Sequence, residues 1–150
     1  ATPIQLAHYT AALANKGTKK PLFLNNSLSG KVPSSEIELE NFNQRDWRLL
    51  HKAMENVVES DYGTARRIRD QKDFLIAAKT GTGEIISLDS REEYERIRED
   101  QGLRDHAIIV AFAPAEKPKY AVSVIIENGE SGGSVAGPVA LRILKELLKE

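Results

Sequence analysis

Two β-rich runs, Ala107 to Ala113 and Tyr120 to Glu127, are separated only by the segment Pro114 to Lys119. A link of that length closes a hairpin and is too short for the crossover that parallel strands require. The two strands are therefore expected to pair antiparallel. A further strand is read at Phe74 to Thr82, apolar at first and then built of small residues. The helical patterns lie apart from the hairpin instead of alternating with its strands. The order helix, helix, strand, excursion, hairpin, helix points to an α+β domain, an antiparallel sheet flanked by helices.

The helices are legible from their ends and stripes. Thr2 is placed as an N-cap, with Pro3 at the first helical position and Gln5 completing a capping box. Leu6, Tyr9, Ala12 and Leu13 are expected on the buried face, and Asn15-Lys16-Gly17 is the stop signal. Residues 18 to 43 read as turn-rich, with one short apolar run at Leu22-Phe23-Leu24. From Gln44 to Ser60 the spacing of Trp47, Leu50, Met54 and Val57 predicts an amphipathic helix, Trp47 being a core residue. Asp61 to Asp70 is a polar connection containing Gly63-Thr64-Ala65. Residues 83 to 105 are charged, with a short exposed helix expected over Arg91 to Arg98. Glu127-Asn128-Gly129 opens a glycine-rich turn. The last helix is expected from about Ser134 to Lys149, with Pro138 in its first turns and Val139, Ile143, Leu144 and Leu147 buried.

Residues 1–150 show no internal repeat and no domain boundary, and a chain of 150 residues buries a working core. A net charge of -1 gives no electrostatic reason to expect nucleic acid or an anionic membrane as partner. No run of apolar residues is long enough to cross a membrane, and the N-terminus lacks the basic-then-apolar pattern of a signal peptide. The absence of cysteine removes disulfides, thiolate catalysis and cysteine-ligated zinc. His8, His51 and His106 lack metal spacing, so no metal and no cofactor is expected.

The stretch Ala77-Ala78-Lys79-Thr80-Gly81-Thr82-Gly83-Glu84 concentrates a cation, two hydroxyls and a bare backbone. On an edge strand, Gly81 would let a ligand approach the main chain, and an extended peptide would add as an extra strand. Lys79 and a threonine hydroxyl would hold its terminal carboxylate, and the Thr82 N–H would donate to an oxyanion. The plainer reading is a solvated strand end. A phosphate loop does not fit, because the glycine spacing of Walker A is absent. Glu92, Glu93, Glu95, Glu99 and Asp100 read as the wet face of a short helix rather than as paired catalytic carboxylates.

Several segments in the same order resemble the penicillin-binding transpeptidases, especially the class B enzymes of the penicillin-binding protein 2 type. They are Thr2-Pro3-Ile4-Gln5-Leu6-Ala7, Ala11 to Gly17, Met54 to Val58, Gly63-Thr64-Ala65 and Lys79-Thr80-Gly81-Thr82. Downstream follow His106 to Pro114, Ala121 to Val124 with Glu127-Asn128-Gly129, and Gly132 to Ala140. The resemblance implies the C-terminal portion of a serine β-lactamase-like transpeptidase domain. It implies cross-linking of peptidoglycan: a serine is acylated by a D-Ala-D-Ala stem peptide, and the acyl group passes to an amine of a neighbouring stem. Penicillins would acylate the same serine. The implied partners are stem peptides, β-lactam antibiotics, and proteins of cell-wall elongation or division. The implied location is the periplasmic side of the bacterial inner membrane, through an anchor in a longer parent.

That family uses Ser-x-x-Lys, Ser-x-Asn and Lys-Thr-Gly motifs. Only the third is present, mapping onto Lys79, Thr80 and Gly81, with Thr82 implied as the carboxylate contact and its N–H as half an oxyanion hole. No serine of the chain has lysine three residues on or asparagine two residues on. The expectation is therefore a C-terminal fragment, inactive alone because acyl transfer needs nucleophile and base together. Gly83 and Glu84 stand where the family pattern has Ala and Gln, and the 83–105 excursion is weighed as a lid against a solvated surface. Two other readings stay open: a β-lactamase or β-lactam sensor sharing Lys-Thr-Gly, and a non-catalytic module that holds peptides on the Lys79 strand.

Overall fold

The computed structural model describes residues 1–23, 35–36, 42–71, 73–84 and 104–149. The expected charged helix at Arg91 to Arg98 and the lid reading of the excursion lie outside these residues. Helix α1 (Pro3–Ala14) begins as its cap predicts. Thr2 Oγ1 accepts from the Gln5 N–H at 3.3 Å, and the Thr2 N–H donates to Gln5 Oε1 at 2.8 Å. At the far end Lys16 and Gly17 take positive φ angles of 52° and 92°, and their N–H groups return to the Leu13 and Ala12 carbonyls. Two short strands, β1 (Thr18–Lys19) and β2 (Ser35–Glu36), pair antiparallel inside the stretch expected to hold only turns. Helix α2 (Gln44–Glu59) carries a reciprocal cap between Asn43 and Asp46.

Strands β3 (Ala77–Gly83), β4 (His106–Ala113) and β5 (Tyr120–Ile126) form an antiparallel sheet in the order β3-β4-β5. The hairpin pairs Ala113 with Tyr120 and Ala107 with Ile126, and its link contains a cis Ala113–Pro114 bond. Beyond β5, a π-helical turn at Gly132–Ala136 leads into helix α3 (Gly137–Leu147). Alternation along the strands gives the sheet two cores. One face joins Ile76, Ala78, Ile109, Ala111, Val122 and Val124 to Ala140, Leu141 and Leu144 of α3 and to Val58, Ala65 and Ile68. The other joins Ala77 and Phe112 to Ala14 of α1 and Met54 of α2. Because both faces are covered, β4 reads as an almost unbroken apolar run.

Three helix faces differ from expectation. On α1 the buried residues are Thr10, Ala12 and Ala14, whereas Leu6 and Leu13 are half-buried and Tyr9 is exposed. Thr10 tolerates burial because its hydroxyl donates to the Leu6 carbonyl at 2.7 Å. On α2 the face turns by about one position, to Trp47, His51, Met54 and Val58, with Leu50 and Val57 half-buried. His51 is buried because Nε2 lies 2.8 Å from the Leu13 carbonyl and its ring packs on Phe112 at 5.1 Å. Trp47 is core as expected, edge-on to Phe42 at 4.8 Å. On α3, Leu144 is fully buried and Leu147 half-buried, but Val139 and Ile143 are exposed. The π turn delays the helix to Gly137, and its small and branched residues Ala140, Leu141 and Leu144 then face the sheet.

Candidate functional site

The Lys-Thr-Gly stretch lies on β3, which starts three positions later and ends one position later than expected, at the edge of the sheet. Among the described residues only one side of β3 has a strand neighbour. Thr80 sits opposite Ile109, Gly81 opposite Ile108 and Thr82 opposite Ala107. A Cβ built on Gly132 would lie 2.2 Å from the Ile108 carbonyl oxygen and 2.8 Å from that of Gly81. The same point is 3.2 Å from the Gly81 nitrogen. The Ile108 carbonyl and both polar groups of Gly81 therefore gather between the strands, as in a hydrogen-bonded pair, with the Gly81 N–H and C=O turned inward to β4. In an antiparallel pair the next residues face the opposite way. The N–H and C=O of Thr80 and Thr82 are accordingly directed to the open edge. Lys79 agrees with this arrangement: its exposed ammonium reaches the Thr80 carbonyl and donates to it.

Four groups thus lie along this strand: an ammonium from Lys79, hydroxyls from Thr80 and Thr82, and the outward N–H of Thr82. Thr80 and Thr82 share a face of the strand, and Lys79 and Gly81 share the other. The arrangement can hold a carboxylate against the cation and hydroxyls. It can also accept an extended chain on the unpaired edge, with an oxyanion against the Thr82 N–H.

The glycines divide into two classes that the sequence alone does not separate. A Cβ on Gly133 would lie 1.8 Å from the Thr64 carbonyl oxygen, and one on Gly63 would lie 2.4 Å from that of Val57. These two, with Gly132, are demanded by backbone packing behind β3. Gly81 is not: a Cβ there would meet Ile108 side-chain atoms at 3.5 and 3.8 Å, ordinary contact, and its φ is not positive. The protein has room for a methyl group at Gly81 and leaves that room empty, on the face that Lys79 also occupies.

Sequence reasoning treated Gly63-Thr64-Ala65 as part of a polar connection. The structure brings it against the site. The Ala65 N–H donates to the Val57 carbonyl at 2.9 Å, tying the segment to the last turn of α2, and Gly133 lies flat on its other side. From this clamp the exposed Thr64 hydroxyl reaches that of Thr80 at 2.7 Å. Glu84 is exposed just beyond Gly83.

The histidines are held by the main chain. His8 Nε2 lies 2.7 Å from the Lys20 carbonyl, and His106 Nδ1 accepts from the Asn128 N–H at 3.1 Å. Asn128 takes φ 57° in the turn expected there. Among the described residues no helix is long and apolar enough to cross a membrane.

Comparison with known proteins gives the family. Residues 1–145 match the family model for the penicillin-binding protein transpeptidase domain. The chain is 38% identical over 150 residues to the peptidoglycan D,D-transpeptidase MrdA of Acinetobacter baumannii, covering 91% of this chain and 21% of that protein. Across the first curated relatives it spans about a fifth to a quarter of their length. Among solved structures, PBP2 of Pseudomonas aeruginosa in complex with WCK 5153 superposes with a TM-score of 0.74 at 34% identity, covering 100% of this chain and 31% of that one. PBP2 of Helicobacter pylori in complex with MreC gives 0.78 at 29% identity, over 99% of this chain and 25% of that one. The match runs through both helices, the edge strand and the hairpin into α3, and on that evidence the chain belongs to the penicillin-binding protein transpeptidase family.

Proposed function

We propose that this chain supplies the Lys-Thr-Gly wall of a peptidoglycan D,D-transpeptidase that works through an acyl-serine intermediate. The observation that supports it most directly is the edge of β3, unpaired among the described residues, along which Lys79, Thr80 and Thr82 follow one another around a Gly81 with room for a methyl group. In this reading the stem peptide lies along the edge as an added strand. Lys79 and the hydroxyls of Thr80 and Thr82 hold its C-terminal carboxylate, and the Thr82 N–H donates to the oxyanion as the serine attacks. Serine and activating lysine come from residues outside this sequence, since no serine here has lysine three positions on. Residues 1–150 then form the C-terminal part of the transpeptidase domain. β-Lactams would occupy the same edge, because they present a carboxylate and a reactive carbonyl at similar spacing. The setting is the periplasmic face of the inner membrane, with partner proteins of cell-wall elongation or division, as PBP2 of Helicobacter pylori has a partner in MreC.

The test is Lys79→Ala in the full-length protein, followed by the rate of acylation by benzylpenicillin. Loss of one charge-assisted contact of about 1.5–3 kcal/mol should slow acylation by about 10- to 100-fold. An unchanged rate would remove Lys79 from the site. The reading as a non-catalytic peptide-holding module is favoured only if the full-length protein forms no acyl adduct yet binds stem peptides reversibly.

A further inference from the structure

Thr64 makes a contact that folding does not require. Its hydroxyl is exposed, Thr80 is half-exposed, and the bond between them spans two segments sixteen positions apart. Two hydroxyls in reach of water lose little when parted, so this bond contributes little to stability. The backbone beneath Thr64 is nevertheless closely held. Gly63 packs on the Val57 carbonyl, Ala65 is fully buried, and only a glycine fits where Gly133 meets the Thr64 carbonyl. A rigid support therefore presents one exposed hydroxyl to the threonine of the Lys-Thr-Gly strand.

The donor count gives that contact a consequence. A threonine hydroxyl has one proton to donate and two lone pairs to accept with. If Thr80 donates to Thr64, its proton is used up internally. If Thr64 donates to Thr80, the Thr80 proton is free to point outward, and accepting a bond makes it a stronger donor. An anion at the edge selects the second arrangement, because it can only accept. Lys79, whose ammonium sits on the Thr80 carbonyl, places positive charge at the same residue and attracts such an anion.

We infer that Thr64 is a positioning residue that orients and polarises the Thr80 hydroxyl toward the carboxylate of the ligand. The inference rests on the reading of β3 as the ligand-binding strand. It makes Thr64 a determinant of preference for carboxylate-bearing ligands rather than of catalysis as such. The role requires of Thr64 no contact with the reacting carbonyl or with the nucleophile.

The experiment uses the full-length protein and compares Thr64→Val, Thr64→Ser and Lys79→Ala. Acylation is followed with benzylpenicillin and with its methyl ester, which keeps the reactive ring and loses the charge. Thr64→Val should slow benzylpenicillin about five- to tenfold and leave the slower ester reaction within twofold of wild type. Thr64→Ser, which keeps the hydroxyl, should restore the benzylpenicillin rate to within twofold. Because the Thr64 side chain is exposed, both variants should melt with the wild type. A Thr64→Val protein that is acylated normally, while Lys79→Ala is slow, overturns this inference and leaves the site reading intact. Equal slowing of penicillin and ester overturns it too, since the effect would then be on the site as a whole. If Lys79→Ala is itself acylated normally, the site reading falls and takes Thr64 with it.

Discussion

Substituting Gly132 by alanine tests whether the turn before α3 is seated on the sheet as described. The new Cβ would lie 2.2 Å from the Ile108 carbonyl oxygen, and real Cβ contacts do not fall under 3.0 Å. Neither partner can yield by a rotamer change, because both are backbone. The turn at Gly132–Ala136 must therefore rise off β3 and β4 by most of an ångström. A gap of that size forfeits about a quarter to a half of the attraction at each contact across it. The buried Ala136, and Gly133 on Thr64, lie directly in that interface. Strain of this kind costs about 1–3 kcal/mol. With a urea slope of about 2 kcal/mol/M, the midpoint should fall by about 0.5–1.5 M at constant slope. Gly81→Ala is the control, since its Cβ meets only side-chain atoms at 3.5 Å or more, and its midpoint should stay or rise slightly. In the full-length protein, however, Gly81→Ala should impair penicillin acylation on the proposed reading, because its methyl group would crowd a ligand laid along β3. A Gly132→Ala midpoint equal to wild type would refute the packing argument, as would an equal fall for Gly81→Ala.

Incubating residues 1–150 with benzylpenicillin should leave the intact mass unchanged; a stoichiometric adduct would locate the nucleophile on one of this chain's own serines. His51→Phe keeps the ring against Phe112 but removes the donor to the Leu13 carbonyl. It should cost about 1 kcal/mol in urea unfolding, and no loss would mean that bond is inert. Arg69 donates to Asp61 at 2.7 Å, and that hydrogen bond, with its charge, holds the Asp61 carboxyl below the ordinary value of 3.8. The pair's stabilisation is thus present above that value and is lost as pH falls through the lowered one. Asp61→Asn should flatten this acid limb of the stability profile, and an unaltered limb would rule the pair out as its source.

The sequence made visible what depends on neighbours along the chain. The Thr2 cap, the Gly17 stop, the hairpin and the edge strand with Lys79 follow from residues a few positions apart. Helix faces were less legible, because the side that turns inward depends on what waits there. Thr10 is buried through a bond to its own helix, and His51 through a carbonyl on another. Tyr9, Val139 and Ile143 have apolar spacing but no surface to meet among the described residues. The role of Thr64 was hidden for the same reason: its partner Thr80 is brought to it by the turn from α2 into β3 and by Gly133 behind it. The letter Gly likewise conceals opposite situations at positions 81 and 132, one where a methyl group would sit in ordinary contact and the other a squeezed contact with backbone.

An exposed strand edge is a hazard as well as an opportunity, for it can template pairing with another copy as readily as it receives a peptide. Here β3 carries a lysine at its third position, the residue type most used to discourage such pairing. Two copies laid edge to edge would bring one Lys79 ammonium close to the other in a setting that water leaves. The charge suited to welcoming a carboxylate therefore also acts as a gatekeeper, keeping the open edge for ligands and away from its own kind.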